Sequence, residues 1–137
     1  MEQALILELE EWLETPQGRY VAAWEQAQFN GMVANAFGYH AIQIGLPHWD
    51  LLQANRIPNK ACAVIEHAPG SARQQVVAQP EELPFDTQSV DLLVLPHALE
   101  CATNPHQVLR EIDRVLMPEG RVVISGFNPW SLWGLHE

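Results

Sequence analysis

Chemistry in this chain is most concentrated where His97, Glu100 and Cys101 fall within one turn's length. On a helix, residues four apart share a face, so His97 and Cys101 could offer two ligands to a metal. No second ligand pair accompanies them, and no CxxC or close Cys/His spacing occurs elsewhere. His40, His48, His67, His106 and His136 are scattered. Ordinary surface or partly buried histidines are therefore the plainer reading, and no metal is expected. Cys101 lacks a recognisable nucleophile arrangement, so a buried, inert thiol is expected. Ser71 and Ser125 lie in no Gly-x-Ser-x-Gly elbow, which leaves a hydrolase of that type unsupported. A dinucleotide-binding loop needs Gly-x-Gly-x-x-Gly after the first strand. The chain there reads Gly45-Leu46-Pro47-His48-Trp49, so NAD is disfavoured.

These residues must be positioned by elements that change period near residue 39. Before it the pattern is helical. Ile6, Leu9 and Leu13 recur at helical spacing within residues 3–14, while Glu8, Glu10, Glu11 and Glu14 read as a solvated face. Thr15 and Pro16 suit the cap and first position of a second helix. In it Tyr20, Trp24 and Ala27 form one stripe and Phe29, Val33 and Phe37 another, with Gly38 closing the helix. Two helices covering one side of a core are expected, with a lid over a ligand as the functional variant.

From residue 39 apolar runs alternate with helices. Strands are expected at 41–44, ending at Gly45, then at 61–66, 75–79, 90–95 and 121–125. The run Val-Asp-Leu-Leu-Val-Leu at 90–95 is nearly all apolar, as a strand covered on both faces should be. A short helix is expected at 49–55 and a long one at 104–116. The long one has Asn104 as cap, Pro105 first, and Val108, Leu109, Ile112, Val115 and Leu116 as its buried stripe. This alternation predicts right-handed crossovers and a doubly wound, Rossmann-like, mostly parallel α/β sheet of about five strands. Residues 1–38 form a helical extension packed on the core, and residues 39–137 an α/β domain. Ligands in such sheets bind beyond the carboxyl ends of the strands, where strand order reverses.

Composition bounds the rest. One domain fits 137 residues, and 47% hydrophobic content supports a sizeable core. A formal net charge of −10 disfavours nucleic acid and anionic membranes as partners. No apolar run approaches a bilayer span. Met1-Glu2-Gln3 lacks the basic start of a signal peptide, and two distant cysteines, Cys62 and Cys101, fit a reducing compartment. A cytoplasmic location is expected.

Residues 83–129 resemble a known family. They read Leu-Pro-Phe-Asp-Thr-Gln-Ser-Val-Asp, an apolar strand, Pro-His-Ala-Leu-Glu, then Asn-Pro and Leu-Arg-Glu-Ile-Asp-Arg-Val-Leu-Met-Pro-Glu-Gly-Arg-Val-Val-Ile-Ser. Order and spacing are similar to the second half of class I S-adenosylmethionine-dependent methyltransferases of the type 11 kind. The Gly126-Phe127-Asn128-Pro129 ending and the helical N-terminal extension also resemble a bacterial subgroup of methyltransferase-like proteins. The resemblance implies a seven-stranded sheet of order 3-2-1-4-5-7-6, of which this chain would supply 3-2-1-4-5. It implies S-adenosylmethionine as cofactor and methyl transfer to a small-molecule acceptor. Carried over by position, Gly45 matches the first glycine of the loop after strand 1, with Leu46 lining the pocket. Glu66, 21 residues on, matches the acid that holds the ribose hydroxyls. Gln79 matches the polar residue that reaches the adenine amine. Pro96 and His97 fall after strand 4, near the reactive methyl, with His97 a candidate general base.

The chain departs from the family pattern in three places. Only the first loop glycine is present, Pro47 has no backbone N–H to donate, and Trp49 is bulky. Pro118-Glu119-Gly120 replaces Pro-Gly-Gly. The chain ends at Glu137, soon after strand 5, beside Phe127, Trp130, Leu132 and Trp133. A fragment, or a homodimer covering that strand edge, is the expectation this raises. The loop and the tryptophans also define an alternative: a noncatalytic fold of this type acting as a protein-interaction module.

Overall fold

A computed structural model describes residues 3–71 and 73–126. Two helices, α1 (Gln3–Leu13) and α2 (Pro16–Val33), precede β1 (His40–Ile44), β2 (Asn59–Val64) and β3 (Gln74–Val77). Then follow β4 (Val90–Pro96), the single turn α3 (Ala98–Cys101), α4 (Pro105–Val115) and β5 (Leu116–Ser125). The five strands form one sheet of order β3-β2-β1-β4-β5, and every pairing is parallel. The expected architecture and strand order are both present.

Alternation along the central strands divides the core into two layers. Ile42, Ile44, Leu93 and Leu95 pack with Val108, Ile112 and Val115 of α4 on one face. Ala41, Leu92 and Val94 pack with Phe29 and Val33 of α2, and with Leu51 and Leu52, on the other. The near-continuous apolar run of β4 is thus explained by cover on both faces. Replacing Leu93, which is fully buried, by Ala would cost about 2–5 kcal/mol.

The capping residues act as their types predict. Thr15 Oγ1 accepts from Gly18 N at 3.1 Å, and Asn104 Oδ1 accepts from Gln107 N at 3.2 Å. Asp91, the acid in the Ser-Val-Asp motif, accepts from the backbone N–H groups of Tyr39 and His40 at 2.8 and 3.1 Å. It ties the start of β1 to β4.

Four expectations need correction. In α2 the stripe of Tyr20 and Trp24 faces solvent, 77% and 59% exposed, and Phe37 lies beyond the helix and is exposed. The buried face is Gly18, Ala22, Glu25, Phe29 and Val33. Gly18 selects it: a Cβ there would fall 1.9 Å from the Trp12 carbonyl oxygen, so only glycine lets α2 close against the end of α1. In α4 the inward positions include Glu111 while Leu109 faces out, because Glu111 is bound to Leu83 N and to Arg114. Residues 49–55 form turns, not a helix, because the Gln43 side chain takes their backbone bonds. Finally, β5 begins directly at Leu116, and Met117–Gly120 is an excursion between the Val90–Leu116 and Leu92–Arg121 pairings.

Candidate functional site

β1 and β2 end side by side, with Gly45 N donating to Ala63 O at 2.9 Å. The chain then turns sharply: Gly45 has φ +87° and Leu46 φ +44°, both left-handed. A Cβ at Gly45 would meet nothing within 4 Å, so its backbone borders open space. Conformation, not crowding, is what glycine supplies here.

Gln43 holds this turn. Its side-chain nitrogen lies 3.0 Å from Gly45 O, 2.8 Å from Leu46 O and 2.8 Å from Trp49 O, while its oxygen accepts from Leu51 N at 3.1 Å. A buried amide can satisfy donors and acceptors at once, which a carboxylate in the same place could not. The Pro47–Trp49 segment is therefore built around Gln43. Trp49 packs inward, its ring edge-on to His97 with centroids 6.4 Å apart.

Beyond the turn lies a cleft of about 210 Å³. Gly45, Leu46, Pro47, Ile65 and Glu66 form its floor, and Gln3, Ile6, Leu7 and Glu10 of α1 form its roof. Glu66 stands at the rim, and its Oε2 accepts from Gln3 Nε2 at 3.0 Å. Gly45, Leu46 and Glu66 are thus brought together. Gln79, exposed after β3, and the buried Pro96 and His97 at the end of β4 do not line this cleft.

His97 anchors a second cluster. It is 1% exposed and has φ +57°. Its Nε2 lies 2.8 Å from Glu25 Oε2 and its Nδ1 3.0 Å from Glu100 Oε1. Burial alone would lower the imidazole pKa, but hydrogen bonds and charge from Glu100 and Glu25 outweigh it and raise it from 6.5 to about 9. At neutral pH His97 is an imidazolium with both nitrogens committed. Glu25 is the residue that sequence reasoning missed. The signal was its place four residues before Phe29 and eight before Val33, on the apolar stripe itself.

The Cys101 thiol is buried, as expected. Cys62 and Cys101 are buried and free, and burial pushes them to about 12 and about 11. Among the described residues no group of three or more His, Cys, Asp or Glu could hold a metal ion, and no helix is long and apolar enough to cross a membrane.

Comparison with known proteins points one way. A family model described as a methyltransferase domain matches residues 54–124. The Escherichia coli protein YafS, itself uncharacterised, is 40% identical over 129 residues, which is 92% of this chain and 51% of YafS. A ubiquinone/menaquinone biosynthesis C-methyltransferase of Hahella chejuensis is 35% identical over 65 residues, 47% of this chain and 26% of that protein. The chain thus spans about half the length of the first relative and about a quarter of the second. Among solved structures, a S-adenosylmethionine-dependent methyltransferase from Aquifex aeolicus superposes with TM-score 0.57 at 13% identity, covering 87% of this chain and 71% of that one. A chain from the complex of the Haloferax volcanii Trm112 methyltransferase activator with its methyltransferase gives 0.59 at 22%, covering 85% and 57%. At such identities the likeness is one of fold.

Proposed function

The chain belongs to the class I, type 11 methyltransferase domain family, and on that premise we propose that its cleft binds S-adenosylmethionine for methyl transfer to a small-molecule acceptor. The observation that carries this reading is the meeting of Gly45 and Glu66, 21 residues apart in sequence, at one cleft beyond the carboxyl ends of β1 and β2.

The residues present fit the cofactor. Open space at Gly45 admits a ligand against bare backbone, and the Glu66 carboxylate can accept hydrogen bonds from two neighbouring hydroxyls. S-adenosylmethionine, when bound, supplies an electrophilic methyl on a sulfonium. In this reading Glu66 holds the ribose, and Gly45 and Leu46 shape the floor. Gln79 and Pro96 lie outside the cleft as it stands, so in this reading the ligand extends past it, its adenine amine toward the Gln79 carbonyl and its methyl toward Pro96. His97 serves as a positioning residue: its bonds to Glu25 and Glu100 pin the end of β4 against α2. Alignment of acceptor, methyl and leaving group can supply much of the rate without a dedicated base.

At about 210 Å³ the cleft is smaller than the roughly 300–1,000 Å³ of ligand pockets. The reading therefore includes an outward shift of α1, which roofs it. The test is calorimetric titration with S-adenosylmethionine and S-adenosylhomocysteine. Micromolar binding that Glu66→Ala weakens by about 1–3 kcal/mol supports it. Equal affinity in both proteins would sink the assigned site. The alternative of an interaction module rests on the loop from Gly45 to Trp49 and on Trp130 and Trp133; the two tryptophans lie with Phe127 and Leu132 outside the described residues.

A further inference from the structure

A second groove, of about 460 Å³, runs between α2 and β5 and shares no lining residue with the cleft at Gly45. Its volume falls within the usual range for small-molecule sites. Its walls are apolar: Val21, Trp24, Phe29 and Met32 on α2, Val123 and Ile124 on β5. Three polar side chains break that lining: Gln28, and the pair Glu25 and Ser125. Both lie close to His97, since Glu25 Oε2 binds its Nε2 at 2.8 Å and Ser125 O accepts from its backbone N at 3.0 Å.

Glu25 Oε1 and Ser125 Oγ are buried and have no hydrogen-bond partner among the described residues. The Glu25 side chain is only 9% exposed. A buried carboxylate oxygen left unpaired is costly, and it can only accept a hydrogen bond. A ligand placed here must therefore donate.

Charge narrows the class. Among the described residues Glu25 and Glu100 flank one imidazolium, and these three groups together carry a net negative charge. Glu100 reaches the groove's mouth, where a Cβ on Gly126 would lie 3.1 Å from its Oε1. An anion is repelled and a cation is welcome. Trp24, 59% exposed, adds an indole face that attracts a cation. Arg121 sits at the other end, bonded to Met32 O at 2.9 Å, which directs a cationic head toward Glu25.

We propose that the groove between α2 and β5 is a binding site for an apolar amine, its ammonium on Glu25 Oε1 and Ser125 Oγ and its body along Trp24, Phe29 and Met32. This site does not depend on the cofactor reading and needs no bound cofactor.

The test is an NMR titration of the whole chain with 4-phenylbutylamine, 4-phenylbutanol and 4-phenylbutyrate, which share a body and differ in the head. The amine should shift the Val123 and Ser125 amides saturably and bind about tenfold or more tightly than the alcohol, and the carboxylate should cause no shift. Trp24→Ala, at an exposed position that spares the fold, should weaken the amine about three- to tenfold. Glu25→Gln should abolish the preference for amine over alcohol. If Glu25→Gln does not fold, Ser125→Ala and Trp24→Ala still decide. Equal binding of amine and carboxylate, no saturable shift with the amine, or amine binding indifferent to Trp24 and Ser125 substitution would each overturn the proposal. Loss of S-adenosylmethionine binding in the separate calorimetric test would leave it standing.

Discussion

Glu25 of α2 and His97 after β4 lie 2.8 Å apart across 72 residues of chain. This contact fastens the N-terminal helices to the end of the central strand. Removing one member strands a buried charge. Glu25→Ala should therefore cost about 3–5 kcal/mol, read from urea denaturation, and a loss below about 1 kcal/mol would show the pair to be incidental.

The same pair makes stability depend on alkaline pH. His97 binds its proton more tightly folded, at about 9, than at its ordinary 6.5. A group raised on folding stabilises fully below its unfolded pKa and loses that contribution as pH climbs through the folded one. The melting temperature should hold up to about pH 6.5 and fall between 6.5 and 9. In His97→Asn that slope should flatten. Identical slopes in both proteins would refute the assignment.

Gln43 should matter more for the turn after β1 than any residue within it. Gln43→Leu keeps the volume but leaves Leu51 N and the carbonyls of Gly45, Leu46 and Trp49 without their partner. A loss of about 2–4 kcal/mol is expected. Hydrogen exchange should rise first at Leu51 and Trp49. Unchanged exchange there would mean the turn holds itself.

Gln3 competes for Glu66 with any hydroxyl-bearing ligand. Its bond to Glu66 Oε2 is exposed, so Gln3→Ala should leave the melting temperature nearly unchanged. S-adenosylmethionine should then bind up to about fivefold more tightly, because the carboxylate is released in advance. Weaker binding in this variant would instead make Gln3 part of the ligand's own contacts.

The Leu-Pro-Phe segment and the Arg of the α4 motif form a structural knot. Glu111 Oε1 accepts from Leu83 N at 2.8 Å, and Arg114 binds Glu111, Leu83 O and Phe85 O. The Arg114 guanidinium, aided by Leu83 N, holds the Glu111 carboxyl below its usual 4.5. Its stabilisation is present above that value and is lost as pH falls through the lowered one. Arg114→Ala should lower the urea midpoint at pH 7, and the gap from the parent should narrow toward acid pH. A gap constant with pH would rule out the charged pair as its source.

Much of this protein follows from local sequence. Strand and helix order came from period: 2 or continuous apolar in Val90–Leu95, 3.6 in Pro105–Val115, with Thr15, Asn104 and the prolines marking starts. Those signals are carried by neighbours in the chain, so they survive without a fold. The Leu-Pro-Phe and Arg-Val-Leu landmarks likewise placed the family, because that knot needs those residues at those distances.

Tertiary structure decided what depends on distant partners. No local signal says that Gly18 must admit α2 against α1, or that the outward stripe would be Tyr20 and Trp24. Glu25 falls on the apolar stripe of α2, but only His97, 72 residues away, lets a charge be buried there. Gln43 is one polar residue in an apolar strand, and only the folded turn reveals an amide with four backbone partners. Period reports which face is apolar, but a polar side chain is buried only where the fold brings its partner within hydrogen-bond reach.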